Sequence, residues 1–145
     1  MSETPAAPGP VIDPQDFDAI GVVADVVVAV RAAAIERGLD VVATVSAPEG
    51  RHRLRIAGRS SGHLVLSVRW DALTTSRRNM VTDALLGLGW DRDEDGEGAT
   101  HRYPPGTDAT SVAFEVLTVL TVGGTPPEPR TVWAQDAEGA PVPLP

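Results

Sequence analysis

The residues best placed to do chemistry are a row of arginines and a run of acids. Arg51, Arg53 and Arg55 alternate along RHRLRIA, so in an extended strand all three guanidinium groups lie on one face. Arg59 and Arg69 stand near enough in sequence to join them. Such a row grips carboxylates or phosphates, because a guanidinium donates to either one in a bidentate fork. A solvated outer sheet face, whose charge resists sheet-on-sheet sticking, suits it nearly as well, with an interaction face slightly favoured. No aromatic residues interleave with it, which argues against stacking of single-stranded nucleic acid.

The acidic run Asp91-Arg92-Asp93-Glu94-Asp95-Gly96 matches the first half of a calcium loop, with Asp91, Asp93 and Asp95 as the candidate ligands. The second half fails. Arg102 stands where a bidentate Glu should close the loop, and Gly98 takes a position usually held by an apolar residue. A solvated hairpin turn with an acidic tip is therefore the preferred reading, and no metal or cofactor is expected.

The rest of the reactive inventory is scattered. His52, His63 and His101 form no zinc-binding spacing, and no elbow motif assembles Ser, His and Asp. Cysteine is absent, which removes thiolate nucleophiles, disulfides and Cys-based metal sites. All 12 basic residues are Arg, so lysine chemistry is excluded as well. Trp70, Trp90 and Trp133 read as core or rim anchors. The expectation is a protein that is not an enzyme.

The elements that must position these residues follow from composition and periodicity. A chain of 145 residues fits one domain with a core of its own. Apolar residues reach 42% while aromatics are only 4%, so that core must consist of Val, Leu, Ile and Ala. The net charge of −8 disfavours a general nucleic-acid binder. Met1–Pro10 lacks the basic start of a signal peptide, and the apolar run Ala19–Val30 contains Asp25 and is too short to span a bilayer. The expected location is the cytoplasm, away from any membrane.

Residues 1–12 read as a flexible, Pro-rich tail. Asp13-Pro14 starts a helix that carries Ile20, Val23, Ala24, Val27, Val30 and Ala34 on one arc from Phe17 to Arg37, with Gly38 as its stop. Three strands follow at Asp40–Ala47, Arg51–Ala57 and His63–Trp70, whose short connections favour antiparallel pairing. Leu54 and Ile56 share a face, as do Leu64, Leu66, Val68 and Trp70, and these faces should meet the helices. Ser76 is expected to cap a second helix that ends at Gly89. A short hairpin runs over Trp90–Asp93 and Thr100–Tyr103. A third helix runs from Thr107 or Asp108 to about Val122. In the tail, Thr131–Gln135 and Pro141–Leu144 either pair around Asp136–Gly139 or lie on the surface. The fold class is α+β, ordered α-β-β-β-α-β-β-α, an antiparallel sheet with helices mainly on one face. The domain is expected over 13–124, with 125–145 as a Pro-rich C-terminal extension.

That order, together with MVTDALLGLGW (80–90), HRYPPG (101–106) and ATSVAFEVLTVLTVGGTPPEP (109–129), resembles the type III secretion chaperone fold, including YbjN-like proteins and related actinobacterial peptide-binding chaperones. The resemblance covers roughly residues 13–124. Two departures stand out: Tyr103 occupies a place where relatives tend to have Trp, and the Pro-rich C-terminal extension is expected to cover part of the surface that relatives leave open. The resemblance implies a non-enzymatic, usually homodimeric, domain that holds a client segment on its sheet or in a groove. With the residue reading, it implies an acidic client protein or peptide contacting Arg51, Arg53, Arg55 and Arg69, with Trp70 or Trp90 adding apolar area. A second function remains open: a ligand- or nucleic-acid-responsive regulator that uses the same arginines to grip phosphate.

Overall fold

The computed structural model describes residues 9–46, 53–70, 74–94, 98–122 and 129–145. In chain order the elements are β1 (Val11–Ile12), α1 (Ala19–Arg37), β2 (Val41–Ser46), β3 (Arg53–Gly58), β4 (Leu64–Arg69) and α2 (Thr75–Gly87). They continue with β5 (Asp91–Arg92), β6 (Gly98–Tyr103), α3 (Ala109–Val122), β7 (Arg130–Asp136) and β8 (Pro141–Val142). Every pairing among the described strands is antiparallel, in the order β1-β7-β2-β3-β4-β6-β5, with β8 also on β7. The fold is α+β, with three helices and an eight-stranded sheet among the described residues.

Period-two burial defines the sheet's two faces. Val41, Ala43 and Val45 of β2, Leu54 and Ile56 of β3, Leu64, Leu66 and Val68 of β4, and Val132 and Ala134 of β7 are buried together. Over them α1 lays Val23, Val26, Val27, Val30 and Ala34, at the spacing of one helical face. α3 adds Val112, Ala113, Val116 and Leu120 to the same core and packs extensively on α1. Helix α1 comes unusually close to β3. A Cβ on Gly58 would stand 2.9 Å from the Val30 carbonyl oxygen, so this glycine serves helix–sheet contact.

Two domain boundaries need correction. Residues 11–12 are not a loose tail: Ile12 is fully buried and β1 pairs with β7. Nor is the C-terminal stretch an appendage, because β7 sits inside the sheet between β1 and β2, in register along the whole of β2. Its alternation of buried and exposed residues (Arg130, Val132, Ala134 and Asp136 inward) is that of a half-buried strand. The hairpin around Asp136–Gly139 does form. Asp136 Oδ1 accepts from the Glu138 and Ala140 backbone N–H groups at 2.9 and 3.0 Å, while its other oxygen takes Arg37 at 2.9 Å. Burial alone would push the Asp136 carboxyl up, but these donors outweigh it and hold it below the usual carboxylate value.

Helix boundaries moved slightly, for local reasons. Asp13 caps an Asx turn, accepting from Gln15 N–H at 3.0 Å, and α1 begins only at Ala19. Thr74 rather than Ser76 caps α2, because Thr74 has the extended backbone that lets its hydroxyl accept from Arg77 N–H. At the other end of α2, Trp90 N–H reaches Leu85 O at 3.0 Å and Gly89 N–H reaches Leu86 O at 3.2 Å, a Schellman closure made possible by the positive φ of Gly89.

Candidate functional site

The face of the sheet away from the helices carries the arginines. Register fixes their neighbours. Arg53 lies directly opposite Arg69 on one side and Ser46 on the other. Arg55 lies opposite Ser67 and Thr44, and Thr44 in turn lies opposite Trp133. A further row runs Gln135, Val42, Ala57, Val65 and Arg102. Arg53, Arg55, Arg69, Arg102, Trp133 and Gln135 are all exposed, so this face is open to solvent. Among the described residues, Arg53, Arg55 and Arg102 have no ion-pair partner. Among the described residues, two acids reach this face at its β5 margin: Asp91, opposite Thr100, and Asp93, which accepts from the Thr100 hydroxyl beside Gly98 and Arg69. Arg53, Arg55, Arg69 and Arg102, four of the chain's 12 basic residues, thus share one exposed surface.

Trp133 is 43% exposed and separated from Arg55 only by Thr44, a distance of two strand spacings or about 10 Å. Beside it, on the edge of β7 not paired to β2, a cleft of about 230 Å³ opens between Gly9, Trp133, Pro141, Pro143 and Leu144.

The expected site residues are only partly brought together. Arg53, Arg55 and Arg69 share the bare face, whereas Arg51 lies outside the described residues. Arg59 belongs to a turn instead, held by Asp40 at 2.6 Å; that guanidinium, more than any other neighbour, keeps the Asp40 carboxyl below its usual value. Trp70 and Trp90 are corrected. Both are buried, at 1% and 2% exposure, and neither can meet a partner on the arginine face. Trp70 follows Arg69 by one residue, and the pleat sends it to the opposite, helix-covered side with Leu64, Leu66 and Val68. The accessible tryptophan on the basic face is Trp133, which the sequence left as a generic anchor. The alternation of RTVWAQD contained that signal.

In the acidic hairpin, Asp93 is engaged in closing the turn. Asp93 Oδ1 accepts from the Thr100 hydroxyl at 2.8 Å, and its backbone N–H bonds Gly98 O at 2.9 Å, both closing the β5–β6 turn. Asp95 lies outside the described residues, and no group of three metal-ligating side chains occurs among those described.

A second constellation, unmarked by any motif, lies under α3. Glu115 receives three donors: the Trp90 indole N–H at 3.1 Å, His101 Nδ1 at 3.0 Å and the Tyr103 hydroxyl. A carboxylate only accepts, so His101 carries its proton on Nδ1. The His101 ring sits 4.3 Å from that of Tyr103 and 5.6 Å from that of Trp90, centroid to centroid. Burial, then the bond to Glu115 and its charge, push the Tyr103 hydroxyl far above its usual value, so it is a fixed neutral donor rather than a base or nucleophile. With its lone pairs committed, Glu115 acts as a clamp joining α3 to β6 and to the end of α2. A lone Glu within the apolar run SVAFEVLTVL, and the period-two pair His101 and Tyr103, were the available hints.

No family model, curated protein or solved structure matches the chain. Among the described residues no helix is long and apolar enough to cross a membrane.

Proposed function

We propose that this chain is a non-enzymatic binding module, chaperone-like in action, that holds an acidic segment of a partner protein on its bare sheet face. The observation that carries the reading is a cluster of arginines. Arg53, Arg55, Arg69 and Arg102 share one exposed face of a protein whose net charge is −8. The arrangement also has a cost: Arg53 and Arg69 are direct cross-strand neighbours, and like charges placed so oppose pairing. From β7 to β6 the face is four strand spacings wide, about 19 Å, the length of about six extended residues.

The test uses a fluorescent, Glu-rich peptide of about ten residues, with an oligonucleotide of matched charge as the rival probe. The peptide should bind at low salt and weaken as salt rises. Combined Arg53→Ser, Arg55→Ser and Arg102→Ser substitutions should abolish binding while circular dichroism stays unchanged. Peptide binding indifferent to the three substitutions would remove this face from the function. Tighter binding of the oligonucleotide, with a steep salt slope, would replace the reading with that of a phosphate-responsive regulator. The homodimer implied by the family resemblance is decided separately, by light scattering on the full chain.

A further inference from the structure

Resting on that reading, we infer that the cleft beside Trp133 takes one apolar side chain of the segment held by the arginines. The partner motif is then an apolar anchor flanked by acids. The cleft's position follows from strand pairing. β2 occupies one edge of β7 throughout, so β1 and β8 share the other, β1 at Arg130 and Thr131 and β8 at Ala134 and Gln135. The two short strands leave a gap at Val132 and Trp133. Gly9 closes one side of it so tightly that a Cβ there would fall 1.8 Å from the Val132 carbonyl oxygen, and Pro141 and Pro143 stiffen the other.

Its chemistry follows from its lining, which holds no charged side chain among the described residues. At about 230 Å³ it exceeds the roughly 150 Å³ that accommodates a benzene ring in an apolar cavity, so a branched aliphatic or aromatic side chain fits. The arginines begin two strands away along the row Trp133, Thr44, Arg55. A segment crossing that row brings carboxylates over Arg55 and Arg53 when its anchor enters the cleft. Apolar and cationic features adjoin here as an aromatic-rimmed pocket within a polar surround, the arrangement typical of a binding hot spot.

The experiment compares two labelled acidic peptides that differ only at one position, Leu against Ser. The Leu peptide should bind about tenfold more tightly, the effect of burying one aliphatic side chain. Trp133→Ala should erase that advantage while leaving the Ser peptide's affinity unchanged, and Leu144→Gln supplies an independent variant should Trp133→Ala prove unstable by circular dichroism. Equal, salt-sensitive binding of both peptides would overturn the anchor cleft while leaving the arginine face standing. Failure of both to bind would overturn the two readings together. A halving of the solution mass on Trp133→Ala would assign the cleft to a second copy of this chain and likewise overturn the inference.

Discussion

The two faces of the sheet are built from alternate residues of the same strands, yet they solve opposite problems. The inner face pairs Ala43 with Ile56 and Ile56 with Leu66, and fills the space up to α1 and α3 with valine, leucine and alanine. The outer face pairs Arg53 with Arg69 and sets Arg55 among Thr44 and Ser67. Stability resides on the first. The second carries charge. Each face carries exceptions to its own rule, and two are instructive: Glu115 brings a carboxylate to the covered side, where Arg130 and Asp136 are also buried, and Trp133 leaves an indole on the bare one.

The Glu115 exception should be the more expensive to disturb. Glu115→Ala leaves the Trp90 indole, the His101 ring and the Tyr103 hydroxyl without their shared acceptor in a half-buried setting. The expected loss is about 2 kcal/mol, read as a lower urea midpoint at unchanged slope. Glu115→Gln keeps one acceptor oxygen and should fall between that variant and the parent. A loss below about 0.5 kcal/mol for Glu115→Ala would mean that water replaces the carboxylate and that the clamp is dispensable.

The same cluster makes a pH prediction whose sign is fixed. Tyr103 holds its proton in the folded chain well above the ordinary value of 10.0, chiefly because it is buried. Its contribution is therefore complete below that value. Above it, the unfolded chain releases a proton that the folded chain retains, and stability falls as the pH rises. Since Tyr103 is the one tyrosine of the chain, phenolate absorbance reports on it alone. The absorbance should stay flat past the ordinary value and then appear together with the loss of circular dichroism. A smooth titration in the still-folded protein would show the hydroxyl to be accessible.

The covered face was legible in sequence because it obeys simple periods. The strands of RHRLRIA and HLVLSVRW and the helix over Phe17–Arg37 all declare their buried positions by spacing. β7 was half-legible. Its alternation was visible, but its place inside the sheet depends on a pairing with β2 that spans most of the chain, and no local pattern encodes such a partner. The arginine row was readable for the same reason as the core, by counting in twos. The same count assigns Trp70 to the core, since it follows Arg69 by one residue; naming both as contacts placed one strand on two faces at once. The Glu115 cluster was not readable, because it joins a helix, a strand and a helix end whose packing the sequence does not announce.

The smallest effect separates the faces most cleanly. Arg53→Thr replaces one member of the like-charged pair with a residue that favours strands, and Arg53 has no ion-pair partner among the described residues to lose. The folded chain should become more stable by about 0.5 kcal/mol, a rise of one or two degrees in melting temperature. The same substitution should weaken the acidic peptide. Gains in stability that coincide with losses in binding mark a residue kept for what it contacts rather than for what it supports. A loss of stability instead would show that Arg53 holds the sheet together, and the bare face would then be ordinary surface whose charge answers to the fold.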